Sequence, residues 1–190
     1  MTNGKRDTIA PPVKHKRTIF VTVGTTRFDR LIEKVTASRS LEWMKVNGYT
    51  HLVVQYGTGN EPSFGIPSTS PPPTDISCRA YRFQDSLQND MRDADLILCH
   101  AGAGTVMEGL TMKKRMVVVI NSALMDNHQT ELAHAMASRG HLFVIENPDD
   151  LDQIELWNDM DSFVSIPLPK REEKMERQFA TLLDAHMGIS

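Results

Sequence analysis

Six short apolar segments alternate with longer amphipathic stretches along most of this chain, and this alternation restricts the fold more than any other feature. Each segment has the length of a strand, and the segments lie near residues 18–23, 51–56, 76–81, 95–99, 115–120 and 141–145. Buried strands separated by helical stretches are typical of a parallel sheet covered by helices. The sequence therefore predicts an α/β fold: a single Rossmann-like lobe with a parallel sheet of about six strands flanked by helices.

The stretches between the strands carry apolar residues at helical spacing. We predict a first helix over about 28–46, a second that follows Gly102 and ends near Met112, and a third over 127–139. Gly140 stops the third helix. A last helix over about 170–186 has an apolar stripe that must pack on another surface, formed by Met175, Phe179, Leu182, Leu183 and His186.

The chain of 190 residues has the length of one domain. Residues 1–17 hold five basic residues and one acidic residue, and they are predicted to form a basic disordered tail. Residues 18–168 are predicted to form the Rossmann-like ligand-binding lobe, with a proline-rich surface loop over 62–73. Residues 169–190 are predicted to form the C-terminal helix.

The charge balance excludes some classes of partner. The 21 basic and 24 acidic side chains give a net charge of -3, so no positive field is available for a nucleic-acid backbone. The longest apolar run, Met116 to Ile120, is too short to cross a bilayer, and no signal-peptide segment is visible. The sequence therefore predicts a soluble, cytoplasmic protein with no nucleic-acid partner, in which Cys78 and Cys99 are reduced structural thiols.

A glycine-containing turn follows the first strand. Gly24, Thr25 and Thr26 offer N–H groups and two hydroxyl donors to a phosphate at the start of a helix. The same residues also suit an ordinary turn with an N-cap. The dinucleotide fingerprint G-x-G-x-x-G is absent here, and the second strand ends without an acidic residue, in the sequence QYGTG over 55–59. We predict that QYGTG forms a second flexible turn that exposes its backbone at the same rim.

The segment after the fourth strand carries the strongest ligand signal. Gly102, Ala103 and Gly104 let backbone N–H groups approach an anion, and Thr105 can cap the helix that begins there. Glu108 lies one turn further, where a carboxylate can accept hydrogen bonds from the two vicinal hydroxyls of a ribose. The alternative interpretation is that Glu108 only complements the helix dipole.

The start of the next helix concentrates four polar residues, Asn127, His128, Gln129 and Glu131. Their density exceeds what helix capping needs, so we interpret them as donors and acceptors for the hydroxyls of a sugar. His128 is also a candidate catalytic residue, as a general base or as a ligand of the sugar.

No metal site is predicted. The seven histidines form neither an H-E-x-x-H motif nor pairs with cysteine. Acidic D-x-D triplets occur at 93–95, 150–152 and 159–161, and we interpret them as solvent-exposed, because the surface is the usual place for acidic residues.

Four segments together resemble one known family. They are GTTRFDRLIEKV over 24–35, QYGTG over 55–59, ADLILCHAGAGTVMEGL over 94–110 and LMDNHQTELA over 124–133. This set is similar to the donor-binding subunit of the eukaryotic two-subunit N-acetylglucosaminyltransferase, which adds the second GlcNAc to dolichyl-diphosphate-GlcNAc in asparagine-linked glycan assembly. That family looks like the C-terminal half of the bacterial lipid-intermediate GlcNAc transferases, which are two-lobed GT-B glycosyltransferases.

The resemblance implies an inverting, metal-independent transfer of GlcNAc with a β1,4 outcome, in which this chain holds UDP-GlcNAc and uses no cofactor. A membrane-anchored partner would bind the lipid-linked acceptor and recruit the chain to the cytosolic face of the endoplasmic reticulum. The C-terminal helix would either dock that partner or pack on its own domain. By matching position, Gly24, Thr25 and Thr26 would contact the diphosphate, and Gly102, Ala103, Gly104 and Thr105 would contact the nucleotide. Glu108 would bind the ribose. The GlcNAc would be bound by Asn127, His128, Gln129 and Glu131.

Two alternatives stay open from the residues alone. Half of a two-lobed enzyme can act as a nucleotide-sugar-binding regulatory or scaffold subunit without chemistry of its own. An NAD-dependent oxidoreductase is the second alternative, and the missing dinucleotide fingerprint argues against it.

Overall fold

A computed structural model describes residues 16–65, 76–121 and 127–168, except for the side chains of residues 127–129. Three sequence predictions fall wholly or mostly outside these residues: the tail up to residue 15, the proline-rich loop from residue 66 onwards, and the C-terminal helix. Residues 122–126, just before the polar helix start, also lie outside the described part.

Six parallel strands form the central sheet, and each confirms a predicted strand to within two residues at either end. The strand order is β3-β2-β1-β4-β5-β6, and every neighbouring pair runs parallel. The central strand β1 places Ile19 opposite Leu52 of β2 and Leu96 of β4. The strands are β1 (Thr18–Thr22), β2 (His51–Gln55), β3 (Ser77–Tyr81), β4 (Leu96–His100), β5 (Arg115–Val119) and β6 (Phe143–Ile145).

Six α-helices and a 3-10 helix flank the sheet in the part of the chain that the structure describes. The helix predicted after Gly102 and the helix predicted over 127–139 are confirmed as α4 and α5. The helices are α1 (Asp29–Thr36), α2 (Ser38–Val46), α3 (Gln88–Asp93), α4 (Ala103–Thr111), α5 (Asn127–Ser138) and α6 (Ile154–Ser162), and the 3-10 helix covers Pro148–Asp152.

The single helix predicted over 28–46 is wrong, because the chain breaks at Ala37, which has φ -62 and ψ 148. The hydroxyl of Thr36 donates to the carbonyl of Ile32 at 2.8 Å. The N–H of Gly65 donates to the carbonyl of Thr36 at 2.9 Å, and the hydroxyl of Ser38 donates to the carbonyl of Gly65 at 3.0 Å. Side-chain and loop groups thus replace the helical hydrogen bonds at the break, and they tie down the start of the proline-rich loop.

Each face of the sheet has its own apolar core, because successive strand residues point to opposite faces. Ile19 and Val21 pack with α1, α2 and α6 on one face, and Phe20 packs with α3, α4 and α5 on the other. Cys99 is fully buried in the second core, where burial raises the pKa of its thiol to about 12. Cys78 and Cys99 are both free thiols, as the sequence predicts.

A charged network at the amino edge of the sheet links the start of β1 to α6. The guanidinium of Arg17 and the hydroxyl of Tyr49 donate to Asp161 Oδ1 at 2.8 and 2.6 Å. Burial acts to raise the pKa of Asp161, but these donors and the nearby Arg115 hold the pKa below its usual range. The interpretation of Asp161 as a solvent-exposed acid is therefore wrong, and Arg17, the last residue of the predicted tail, belongs to the folded part.

After α6 the chain returns in an irregular segment over 163–168 to the turn between α5 and β6. The N–H of Ile166 donates to the carbonyl of Gly140 at 2.8 Å, and Nδ1 of His141 lies 2.7 Å from the carbonyl oxygen of Ile166. Gly140 has φ +74, and a Cβ atom there would lie 2.8 Å from Cδ1 of Ile166. Gly140, which follows the end of α5, therefore also makes room for the 163–168 segment and binds it through a hydrogen bond.

Candidate functional site

The strand order places a crevice at the carboxyl edge of the sheet, between β1 and β4. The chain passes from β1 to β2 on one side and from β4 to β5 on the other, so the order reverses at this point. Ligands of open parallel sheets bind at such a reversal. Thr22 and Cys99 are paired in register near the ends of the two strands, so the segments Gly24–Thr26 and Gly102–Thr105 flank the crevice.

The turn after β1 is held by hydrogen bonds within the protein. Gly24 has φ +59, a left-handed conformation that favours glycine. The N–H and the hydroxyl of Thr26 both donate to the carbonyl of Val23, at 3.1 and 2.8 Å. The hydroxyl proton of Thr26 is thus used inside the turn, whereas Thr25 is exposed. Of the two predicted hydroxyl donors, the structure favours Thr25 as the one open to a ligand.

The segment QYGTG packs against the β1 turn and differs from the flexible, backbone-exposing turn that the sequence predicts. Gly57 has φ +58, and a Cβ atom there would overlap the carbonyl oxygen of Thr26. The N–H of Thr58 donates to the same oxygen at 3.1 Å, and the N–H of Gly59 donates to the carbonyl of Tyr56 at 3.1 Å. These N–H groups are occupied, so the segment supports the β1 turn from the β2 side.

Asp29, the first residue of α1, connects this segment to the helix. Its Oδ1 accepts from the N–H of Asn60 at 2.8 Å, and its Oδ2 accepts from Nε of Arg27 at 2.6 Å. Burial opposes ionisation of Asp29, but the hydrogen bonds from Asn60 and Arg27 lower its pKa. The carboxylate is therefore ionised near neutral pH and fastens the 55–60 segment to the start of α1.

The amino end of α4 faces the other side of the crevice. Gly102 is the N-cap residue, and the helix begins at Ala103. The N–H groups of Ala103, Gly104 and Thr105 are the first three of the helix and have no acceptor inside it. Gly104 is exposed, and a Cβ atom there would meet nothing within 4 Å. The predicted capping role of Thr105 is wrong, because Thr105 is the third residue of the helix and Gly102 holds the cap position.

Glu108 lies one turn into α4, outside the face that packs on the sheet. The buried residues of this helix are Val106, Gly109 and Leu110. Thr105 and Glu108 are half-buried and lie three positions apart, so they share one side of the helix. In the described part of the chain, no basic side chain pairs with the Glu108 carboxylate, which fits a group kept for a ligand.

His100 lies between the two glycine segments, and the sequence reasoning gave it no role. A Cβ atom at Gly24 would lie 2.9 Å from Cε1 of the imidazole, and a Cβ atom at Gly102 would lie 2.6 Å from its Nε2. The imidazole therefore contacts both loops, and glycine on each side makes room for it. The available signal was its position: His100 ends β4 and opens the glycine-rich segment.

The environment of His100 favours its neutral form. Burial lowers the pKa of the imidazole, and a contact with the backbone of Thr22 opposes this shift without cancelling it. Nδ1 is buried and makes no hydrogen bond of good geometry with any residue that the structure describes. A neutral imidazole at the crevice can donate one hydrogen bond to a ligand through Nε2 if the proton is carried there.

The polar residues predicted to contact a sugar belong to the start of α5, which begins at Asn127. The helix follows β5, the neighbour of β4, so its amino end lies at the same edge of the sheet as the crevice. Glu131 is exposed, and the side chains of Asn127, His128 and Gln129 lie outside the described residues. Asn121, just after β5, donates to the carbonyl of Arg27 at 3.4 Å and so links the β5 and β1 loops.

The described ranges contain no group of three or more histidine, cysteine, aspartate or glutamate residues arranged to hold a metal ion. Within the same ranges, no helix has both the length and the apolar character that a membrane crossing requires.

Residues 18–178 match the glycosyltransferase family 28 C-terminal domain. This chain belongs to that family. A Yarrowia lipolytica protein named UDP-N-acetylglucosamine transferase subunit ALG13 is 34% identical to this glycosyltransferase domain over 161 residues, which cover 82% of this chain and 78% of the relative. The mouse and human proteins of the same name are 44% and 46% identical over 124 and 125 residues, or 65% and 66% of this chain. The match spans only about a tenth of those two relatives, 10% and 11% of their lengths.

Solved structures show the same fold. The NMR structure of ALG13 superposes with a TM-score of 0.59 at 21% identity and covers 81% of this chain and 90% of that one. The crystal structure of Acinetobacter baumannii MurG gives a TM-score of 0.58 at 19% identity and covers 89% of this chain but 51% of that one. The glycosyltransferase domain therefore has the fold of one lobe of a two-lobed GT-B enzyme, as the sequence predicts.

Proposed function

We propose that this glycosyltransferase domain binds UDP-GlcNAc and, with a membrane-anchored partner, transfers GlcNAc in β1,4 linkage to GlcNAc-diphosphodolichol, the second step of lipid-linked oligosaccharide synthesis. The relatives named UDP-N-acetylglucosamine transferase subunit support this donor. The observation that carries the proposal is the position of the β1 turn and the amino end of α4 on either side of His100.

The diphosphate of the donor occupies the crevice between these two segments. The N–H groups of Ala103, Gly104 and Thr105 and the dipole of α4 stabilise its negative charge, and Thr25 and His100 donate to it. As the bond between the sugar and UDP breaks, charge grows on the diphosphate, so these fixed donors act on the leaving group. This role requires no metal ion.

Glu108 binds the ribose hydroxyls, and the start of α5 binds GlcNAc through Asn127, His128, Gln129 and Glu131. In the inverting reaction, the acceptor hydroxyl oxygen forms a bond to the anomeric carbon, the bond to UDP breaks, and UDP carries away the electron pair. His128 is the candidate base that removes the hydroxyl proton. Most of the rate gain in this scheme comes from positioning and from electrostatic stabilisation of UDP.

The acceptor site belongs to the partner subunit. The match to about half of the MurG chain supports this division, because a GT-B enzyme holds its substrates between two lobes. The partner also anchors the complex at the cytosolic face of the endoplasmic reticulum. The C-terminal helix predicted over 169–190 is its candidate docking element.

Isothermal titration calorimetry of the full chain with UDP, UDP-GlcNAc and NADH tests the donor assignment. We expect binding of both uridine nucleotides and none of NADH. Binding of NADH without binding of UDP would reject the proposal in favour of an oxidoreductase.

A transfer assay with UDP-GlcNAc and GlcNAc-diphosphodolichol tests the division of labour. We expect negligible transfer by the pure chain and robust transfer after the chain is mixed with the membrane-anchored partner. Full turnover by the pure chain would show that the acceptor site is not on a partner. Binding of UDP-GlcNAc without transfer in the complex would identify a regulatory subunit instead.

A further inference from the structure

A closed ring of hydrogen bonds joins Thr22, Gln55 and Gly24 beneath the crevice. The hydroxyl of Thr22 donates to Oε1 of Gln55 at 2.6 Å, and Nε2 of Gln55 donates to the carbonyl of Gly24 at 2.7 Å. The N–H of Gly24 closes the ring by donating to the hydroxyl oxygen of Thr22 at 3.2 Å. Thr22 is 0% exposed and Gln55 is 2% exposed, so neither side chain can touch a ligand directly.

The orientation of the Gln55 amide is fixed by its partners. Nε2 also donates to the carbonyl of Arg82 at 2.7 Å, just after β3. A flipped amide would place Oε1 against two carbonyl oxygens, and all three would be acceptors. One buried side chain therefore ties together the ends of β1, β2 and β3.

The ring determines where the next backbone donor points. The carbonyl of Gly24 and the N–H of Thr25 belong to one planar trans peptide, so they point in opposite directions. Gln55 holds this carbonyl toward β2, which turns the N–H of Thr25 away from β2 and toward the β4 side, where His100 lies. Thr25 is exposed, and no described residue accepts a hydrogen bond from its N–H.

We propose that Thr22 and Gln55 are positioning residues that aim the Thr25 N–H at an oxygen of the donor diphosphate. This inference rests on the proposed binding of a uridine diphosphate sugar. It assigns the buried Gln55 of the QYGTG segment a role at a distance from the ligand, exerted through the backbone of Gly24. An aimed N–H donor to an anion contributes about a tenfold gain in affinity or more.

The test compares Thr22→Val with Thr22→Ser in the full chain. Valine keeps the shape of the side chain and removes the hydroxyl, whereas serine keeps the hydroxyl. We expect Thr22→Val to weaken UDP binding about tenfold and to change uridine binding less than about twofold, because uridine lacks the diphosphate. Thr22→Ser retains UDP affinity within about twofold. NMR titration measures both ligands, since it also reports weak binding.

Two further variants protect the interpretation. Gln55→Met removes the other side chain of the ring, and we expect the same loss of UDP affinity with little change in uridine affinity. This variant replaces Thr22→Val in the test if Thr22→Val does not fold. Thr36→Val removes another buried hydroxyl, which donates to Ile32 away from the crevice, and it leaves the affinities for UDP and uridine unchanged.

Three outcomes would overturn the inference. Unchanged UDP affinity in folded Thr22→Val would limit the ring to structural support, and equal losses for UDP and uridine would show general damage to the site. A wild-type chain that binds no UDP would reject the proposed function itself, and the ligand role of the ring would fall with it.

Discussion

The imidazole of His100 fills the space beside Gly102 so closely that a Cβ atom at Gly102 would come within 2.6 Å of Nε2. The same ring also limits Gly24 on the opposite side, at 2.9 Å from Cε1. One side chain at the end of β4 therefore limits the space at both Gly24 and Gly102. The two sides of the crevice are coupled through His100, and substitutions at the glycines have predictable costs.

Gly102→Ala is expected to lower the free energy of unfolding by about 1–3 kcal/mol, because the added methyl group must displace the buried imidazole. Urea unfolding measures the change. In a His100→Ala background the same substitution costs much less, since the methyl group then has space. An equal cost in both backgrounds would contradict the packing explanation.

Gly104→Ala separates stability from ligand binding. The new methyl group meets nothing within 4 Å, and alanine suits a helix better than glycine, so the free energy of unfolding rises by up to about 1 kcal/mol. UDP affinity falls roughly tenfold, because the methyl group stands where a phosphate approaches the backbone. Urea unfolding measures the rise in stability, and calorimetry on the same sample measures the fall in UDP affinity. Unchanged UDP affinity would place the diphosphate elsewhere.

Glu108→Ala is expected to weaken UDP binding by roughly 1–3 kcal/mol, the range for losing hydrogen bonds to a charged group. Calorimetry with 2′-deoxy-UDP identifies the contact, because this ligand lacks one ribose hydroxyl. The deoxy ligand binds the wild type more weakly than UDP does, and this difference shrinks in the variant. A difference of the same size in both proteins would remove the ribose role of Glu108.

The pH dependence of stability is expected to report on His100. Its pKa in the folded state lies below the usual value of 6.5, so the unfolded chain takes up a proton more readily when the pH falls below about 6.5. The stabilisation is full above that pH and is lost as the pH falls toward the lowered pKa. Urea unfolding at about pH 7.5 and 5.5 shows this loss, and His100→Gln reduces it.

Burial also lowers the pKa of His51, with a smaller contribution from the charge of Lys16. Protonation of His51 therefore also reduces stability as the pH falls. His51 is present in both proteins, so the comparison isolates His100. An identical loss of stability in wild type and His100→Gln would show that His100 does not supply the pH dependence.

Most of the sheet was predictable because strands such as β4 (Leu96–His100) carry a compact apolar run bounded by polar or turn residues. The break at Ala37 was not predictable, because it depends on Gly65 from a later loop reaching the carbonyl of Thr36. Helical spacing alone continues through this position. The break is therefore a tertiary effect that acts on a locally helical sequence.

The candidate site was predictable to the extent that glycine and hydroxyl residues follow strands, as Gly24 and Gly102 do. The roles of Gln55 and His100 were not predicted, because each residue is the last of a strand and its role depends on the neighbouring loops. The ion pairs and hydrogen bonds of Asp161 were not predicted either, because its partners Arg17, Tyr49 and Arg115 come from three distant parts of the chain. A surface-type motif gives no sign of such partners.

The ion pair between Arg17 and Asp161 marks a suitable site for attaching a label or a surface tether to the domain. Arg17 directly precedes β1, so the chain enters the sheet at the edge opposite to the crevice. A fluorophore or surface tether placed just ahead of this arginine starts at the opposite edge of the sheet from the segments Gly24–Thr26 and Gly102–Thr105. Attachment there is therefore expected to leave the carboxyl edge of the sheet, where the crevice lies, open to solvent.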